Sequence, residues 1–577
     1  MTLITKPTKV TLEGRGTLTL RQSNFVTKGG EGAIYRNGDT IIKLYLDPKK
    51  MQRDAIADKI RTLASTLQHD GIVTPGGIVL DTNAMPIGFH MPFVAGEPLP
   101  RLFTNDSRAQ FNLTDDDART LAARMYDIVS YTHDRHALMV DANELNWIAE
   151  LGANGPQPRV IDVDSWAIGK WPAHVIMPSI RDWHSGTFGP LTDWYAWGIV
   201  SFQVFTGVHP YKGKLDGYKP GEFERRMREN ASVFLPEVRL NRAVRDFTCI
   251  PGPLLDWYQE TFSSTTRTVP PSPAQSGAAT LGGRNVLRVV TTHTGTISYE
   301  TIFEVQNDPV RSIWPCGVVR LESGALYTVA NKRRIGTSTA ERLAIVRHDS
   351  GWLLAEYENS AWSFRFITRT DPQSHALSLS LACNDVLRSG DRLFAVTDTA
   401  LVELVPMMFA KPILTTPTQW EIMGNATEWH RGVGIADMLG SMHLIVPFGN
   451  RQVAFAKVPE LNGMRTIDAV AGTRYVAVLT LDQNGEYRVH GFTFDTEWKQ
   501  YSVTAHTVDQ PDLNIVILPK GVAASIENDG ELNVFVPTQR DLKLVRDKDI
   551  ATTMRLARID DRVVYRSNGA LRSLRMS

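Results

Sequence analysis

Residues 139–168 read MVDANELNWIAELGANGPQPRVIDVDSWAI, and two short segments of this stretch decide how the first half of the chain is understood. In the first, Asp141 and Asn146 stand five residues apart. Phosphoryl transfer needs a carboxylate to orient the attacking hydroxyl, and a neutral amide oxygen can share a metal without adding negative charge. In the second, sixteen residues beyond Asn146, an apolar run breaks at Asp162 and Asp164. Carboxylates at the end of a strand are natural magnesium ligands. Alone, each segment has an ordinary explanation, because Asp and Asn are common in loops and paired aspartates at a turn are often solvated or capping. Their weight comes from what surrounds them.

Upstream, residues 27–45 read TKGGEGAIYRNGDTIIKLY, a tight strand-turn-strand with Gly29, Gly30 and Gly32 at its bend. Glycine there lets the backbone lie close over phosphates with its amides facing the anion. Lys43 follows Gly32 by eleven residues on the next apolar strand, where a lysine with a buried stem reaches phosphate oxygens. Downstream, residues 191–211 form an apolar helix with Asp193 at its start and a Gly-x-x-Pro exit, and that carboxylate is placed to brace the catalytic loop through backbone amides. Between these pieces, the apolar spacing of Ile56, Ile60, Leu63 and Leu67 predicts a helix over 54–67, and a Thr114 cap opens another over 114–131.

In this order the pieces resemble the protein-kinase superfamily over about residues 20–271, and most closely its divergent bacterial-type domains with GGEGxVY, GDxNxxN and IDxDS loops. The resemblance implies a bilobal fold that binds ATP and Mg2+, with an N-lobe at about 15–94 and a C-lobe at about 95–270. Thr27, Gly29 and Gly32 fall on the family's Gly-x-Gly-x-x-Gly loop, with Gly30 and Ile34 beside the nucleotide. Lys43 falls on the phosphate lysine, and Asp58, or else Asp54, stands in for its usual glutamate partner. Met91 is similar to the gatekeeper, and Pro92 and Val94 offer backbone groups to adenine. Asp141 matches the catalytic aspartate, Asn146 and Asp162 the metal ligands, and Asp193 and Gly198 the D-x-W-x-x-G helix. Met177, Pro178 and Ser179 stand for Ala-Pro-Glu, and Arg267 for the arginine near the domain's end. Departures are Thr27 for the first glycine, Met139 and Val140 for His-Arg, and Asn143 for the loop lysine. The resemblance implies a Ser/Thr-type protein kinase, with a nucleotide-binding pseudokinase scaffold as the alternative.

Residues 263–284, rich in Pro, Ser, Thr and Gly, read as an exit and linker, which divides the chain into a first domain at 1–270, a linker at 271–284 and a second domain at 285–577. Beyond it the texture is of short β runs punctuated by Gly, Asn and Asp, as in GALYTVA from Gly324 and SMHLIVPFGNRQVAFAKV from Ser441. Roughly 290 residues of hairpins suit a β-propeller of six or seven blades, with two β-sandwiches as the alternative. The fold class expected is thus multidomain, α+β then all-β. Trp314, Trp352, Trp362, Trp420 and Trp429 would mark a binding face if they clustered in solvent, and core packing if buried.

Lys plus Arg equals Asp plus Glu at 62 each, so no whole-chain basic field is available and no nucleic-acid partner is expected. A protein substrate or partner held by the second domain is. Cys249, Cys316 and Cys383 show no paired spacing. With no membrane span or secretory signal apparent in the sequence, a cytoplasmic protein is expected.

Overall fold

The computed structural model describes residues 3–49, 51, 55–152, 154–173, 176–219, 221–241, 243–274, 297–370, 372–449, 451–509, 511–526, 532–537, 539–545, 550–551 and 554–576. Asp54 and residues 275–284 of the expected linker lie outside them. The chain is multidomain. A mixed α and β first half is followed by a region built from antiparallel sheets.

The first half opens with strands β1 (Thr8–Leu12), β2 (Gly16–Leu20), β3 (Phe25–Lys28), β4 (Gly32–Asn37), β5 (Thr40–Tyr45), β6 (Gly77–Leu80) and β7 (Pro86–Pro92). They form one sheet in the order β2-β1-β6-β7-β5-β4-β3. Side chains alternate across a strand, and on β5 this alternation decides the site. Ile42 and Leu44 enter one core with Val10, Leu20 and Phe25, whereas Tyr45 enters another with Ile60, Ile78 and Phe89. Lys43 shares the Tyr45 side and stands in register with Phe89 on β7 and Ile34 on β4. Helix α1 (Ile56–Thr66) covers this side with Lys59, Ile60 and Leu63.

The rest of the first half is mainly helical, with two small sheets, Glu97–Pro98 with Trp147–Glu150 and Gln157–Val160, and Ala137–Leu138 with Ala167–Ile168. Helix α2 (Asp115–His133) starts at Thr114, whose Oγ1 accepts from the Asp117 N–H while Asp117 accepts from the Thr114 N–H. This reciprocal pair satisfies two otherwise orphaned donors. Helix α3 (Pro190–Thr206) is buried along nearly its whole length, and helix α4 (Gly252–Ser263) packs on it. Their aromatic residues mesh edge to face, as in Phe202 against Tyr258 at 5.3 Å. Gly198 is required there, since a Cβ would stand 2.8 Å from the Trp257 ring. No helix among the described residues is long and apolar enough to cross a membrane.

Among its described residues the second region comprises seven antiparallel sheets of four or five strands. Sheets II to VII follow one another along the chain, beginning at Val310, Arg342, Asp385, Thr427, Arg465 and Ile515. Sheet I joins Ile297–Phe303 to the last three strands, pairing it with Ala570–Met576. Each neighbouring pair of sheets shares a buried apolar cluster. Phe303, Val319 and Leu571 lie between I and II, and Val516, Leu532 and Tyr565 between VII and I. The expected tryptophans serve these cores: Trp314 and Trp352 between II and III, Trp362 between III and IV, and Trp420 and Trp429 between IV and V. They form no single exposed face.

Candidate functional site

Lys43 is the centre of the site. Its ammonium lies 2.6 Å from Asp162 Oδ1 and 2.8 and 2.9 Å from the two oxygens of Asp164. Burial disfavours a charged lysine, but the two carboxylates outweigh it and raise the pKa above the ordinary lysine range. The two aspartates differ in access. The Asp164 side chain is 3% exposed and also accepts from the Tyr45 hydroxyl at 2.6 Å, whereas the Asp162 side chain keeps 38% exposure. Burial alone would raise the Asp164 carboxyl, but Lys43 overrides it and holds it below the usual carboxylate range. Asp162 goes the other way, pushed up by burial and by the charge of Asp164 against the pull of Lys43. It also sits in the left-handed region at φ 62°, uncommon for a residue with a side chain.

Asp58 does not serve Lys43. Its side chain is 67% exposed and faces Arg61 at 3.6 Å. Helix α1 turns Lys59 inward instead, and this lysine donates to the Asp164 carbonyl at 2.7 Å. The partner of Lys43 therefore comes from the Asp-Val-Asp turn.

The glycine hairpin lies over the Lys43 stem. Gly29 donates its N–H to the Gly32 carbonyl at 2.9 Å and closes the bend, while Gly30 has open space where a Cβ would stand. A Cβ on Gly32 would be 3.1 Å from the Leu44 carbonyl and 3.3 Å from Lys43 Cγ, so side chains other than hydrogen crowd the lysine. Ile34 pairs with Lys43 across the strands, and Thr27 with Ile34. Gly88, which drew no notice in the sequence, lets β7 approach, since a Cβ there would fall 2.0 Å from the Lys43 carbonyl. Met91 packs at the edge of the Tyr45 and Phe89 cluster, Pro92 pairs with Thr40 at the end of β7, and Val94 follows in the connection to the helical part.

Asp193 anchors the loop that carries Asp141. Its carboxylate accepts from the Met139 N–H at 2.8 Å and the Val140 N–H at 2.9 Å, with His133 Nε2 3.0 Å away. Val140 is held at φ 59°, a strained conformation for a β-branched residue that persists only where the surroundings fix it. Asp141 Oδ1 accepts from the Met177 N–H at 2.8 Å, and burial pushes its carboxyl up against that bond and one from Asn143. Asn146 donates through Nδ2 to the Asp141 carbonyl at 2.6 Å. Its Oδ1 has no bonding partner among the described residues, which leaves the oxygen available as a ligand. Sequence reading also missed Asp182, whose buried carboxylate receives Arg267 at 2.8 and 2.9 Å.

The set consists of a buried ammonium paired with two carboxylates, one of them partly exposed, a neutral amide oxygen and a glycine bend. The chain matches no protein-family model and no curated protein. The functional reading therefore rests on the residues themselves. Among those described, no three His, Cys, Asp or Glu side chains group as a metal cluster. A magnesium site here would draw on Asp162 and Asn146 together with oxygens of a bound phosphate, in keeping with how that ion is usually held.

Proposed function

We propose that the first half is an ATP-dependent phosphotransferase of the Ser/Thr protein-kinase type, and that the seven sheets are the blades of a β-propeller for protein recruitment. The observation that carries the first claim is the Lys43, Asp162 and Asp164 cluster beneath the glycine hairpin, next to a loop in which Asp193 fixes Asp141 and Asn146. The second claim is supported by the pairing of the region's first described strand with its last, and by apolar clusters that link the seven sheets in cyclic order.

In this reading Lys43 would hold the α- and β-phosphate oxygens, and Asp162 with Asn146 Oδ1 would hold magnesium, whose charge would offset that of the phosphates. Asp141 orients the acceptor hydroxyl and takes its proton. The half-exposed Asp162 suits a ligand role, and the buried Asp164 suits the role of keeping Lys43 in place. Asn143 favours a second reading, a nucleotide-binding scaffold, because its side chain accepts from the Leu145 N–H and brings no positive charge to the acceptor. A lost transition-state contact of this kind costs about 100- to 1000-fold in rate.

Thermal unfolding with and without Mg-ATP tests the site. At a nucleotide concentration a hundredfold above Kd the wild-type protein should gain about 2.7 kcal/mol, and Lys43→Met should lose most of that increment relative to its own baseline. Retention of the full increment would move the phosphate site elsewhere. The acid limb of the rate profile provides a second check. Asp141 acts ionised, and its raised pKa means that turnover should rise with pH through a midpoint above the usual carboxylate range. A limb at the ordinary carboxylate value would detach Asp141 from the rate-determining proton.

A further inference from the structure

Loops of the C-terminal region lie against both parts of the first half. On the sheet part, Asp437 Oδ2 accepts from the Thr27 hydroxyl at 3.1 Å and from the Lys28 N–H at 3.2 Å, directly on the glycine hairpin. Asn425 Nδ2 donates to the Ser23 carbonyl at 3.0 Å, and Ala426 enters the apolar core of Val10 and Phe25. On the helical part, Gly485 lies on Ser179 so closely that a Cβ would fall 2.4 Å from the serine Cβ. Lys212 is only 4% exposed because this hairpin covers it. Its ammonium donates to the Gly485 carbonyl at 3.1 Å, with Glu486 at 3.9 Å and the Tyr487 ring at 4.8 Å. A lysine withdrawn from water needs such partners. Leu145, four residues past Asp141, packs on the cluster that contains Tyr487, and Arg555 pairs with Asp106 at 3.1 Å.

Some of these contacts fall on segments next to Asp141, and others on the glycine hairpin. Met177 bonds the Asp141 carboxylate, Ser179 follows two residues later, Leu145 ends the same loop, and Thr27 and Lys28 belong to the hairpin. An acceptor hydroxyl must come within about 3 Å of the base that receives its proton. We propose that the C-terminal region is a tethered block on the acceptor side of the phosphate site, bridging the glycine hairpin to the Asp141 loop, so that a protein acceptor enters only when this region lifts. The proposal rests on the phosphotransferase reading above. It makes the region both gate and recruitment surface, because a partner that binds the same loops releases the block.

The test uses the full chain with Asp437→Ala and Gly485→Asn combined. Gly485 has φ 81°, which asparagine tolerates better than other side chains, so the main effect is the new Cβ against Ser179. Gly463→Asn is the control, with φ 76° and nothing nearer than 3.7 Å. Hydrogen exchange at residues 27–30 and 177–180, label transfer from γ-labelled ATP to dephosphorylated casein, and the ATP-dependent thermal shift are measured together. In the double variant, exchange at both segments and casein labelling should rise at least tenfold, because both charge-assisted hydrogen bonds that Asp437 accepts are lost and Ser179 meets a new Cβ. The thermal shift should stay at the wild-type value and the control should match wild type. Faster exchange without more labelling overturns the block, as does exchange unchanged at both segments. No labelling and no ATP-dependent shift in any protein overturns the phosphotransferase reading, and the block with it.

Discussion

Asp164→Ala should destabilise the first half by about 3 kcal/mol, the low end of the cost of breaking a buried ion pair, because one carboxylate remains on Lys43. Lys43 would keep only the half-exposed Asp162, and the Tyr45 hydroxyl would lose its acceptor. For a unit of this size the melting temperature should fall by on the order of 10 °C. The sign of the pH dependence follows from the depressed pKa of Asp164. Its contribution is fully present above the ordinary carboxylate pKa and is lost as pH falls through the lower folded value, so the gap between wild type and variant should narrow in acid. Calorimetry across pH checks both points. A variant as stable as wild type at neutral pH would show that Lys43 needs no clamp.

Asp193→Ala should cut turnover by roughly 100-fold with little change in ATP affinity. The substitution strips the acceptor from two backbone amides and from His133, and a buried amide left unpaired costs about 1–3 kcal/mol. Val140 would then relax from its φ of 59° and carry Asp141 with it. A displacement near 1 Å at the reacting centre is enough for about a hundredfold loss. Lys43 and Asp162 are on other segments and keep their contacts. Steady-state kinetics should show a fall in kcat with KM for ATP nearly constant, and the ATP-dependent thermal shift should persist. An unchanged kcat would mean that the loop does not set the rate.

The parts of the site that could be read from the sequence were those carried by local pattern. Lys43 lies on a strand whose alternation is plain in TIIKLY, and the break at Asp162 marks a strand end. Two features were not visible because they depend on pairing across long separations. Asp164 meets Lys43 over 121 residues, and Lys59 meets the Asp164 carbonyl over 105. The misplacement of Asp58 has a simpler cause. At 3.6 residues per turn it lies about 200° round the helix from Ile60, on the outer face, and following the apolar stripe would have assigned the inward position to Lys59. In the second region, turn residues and strand length revealed the hairpins, but not that Ile297–Phe303 pairs with Ala570–Met576. The contacts between the halves left no sequence signal at all, since Gly485 and Asp437 look like ordinary turn residues until the sheets bring them to Ser179 and Thr27.

Phosphoryl transfer from γ-labelled ATP with magnesium, measured on the wild-type chain and on the Asp437→Ala, Gly485→Asn background, is the most direct measurement. In both backgrounds Asp141→Ala and Asp162→Ala should reduce the label found on the chain itself and on added casein by about 100-fold or more. Equal labelling with and without these two carboxylates would contradict the account.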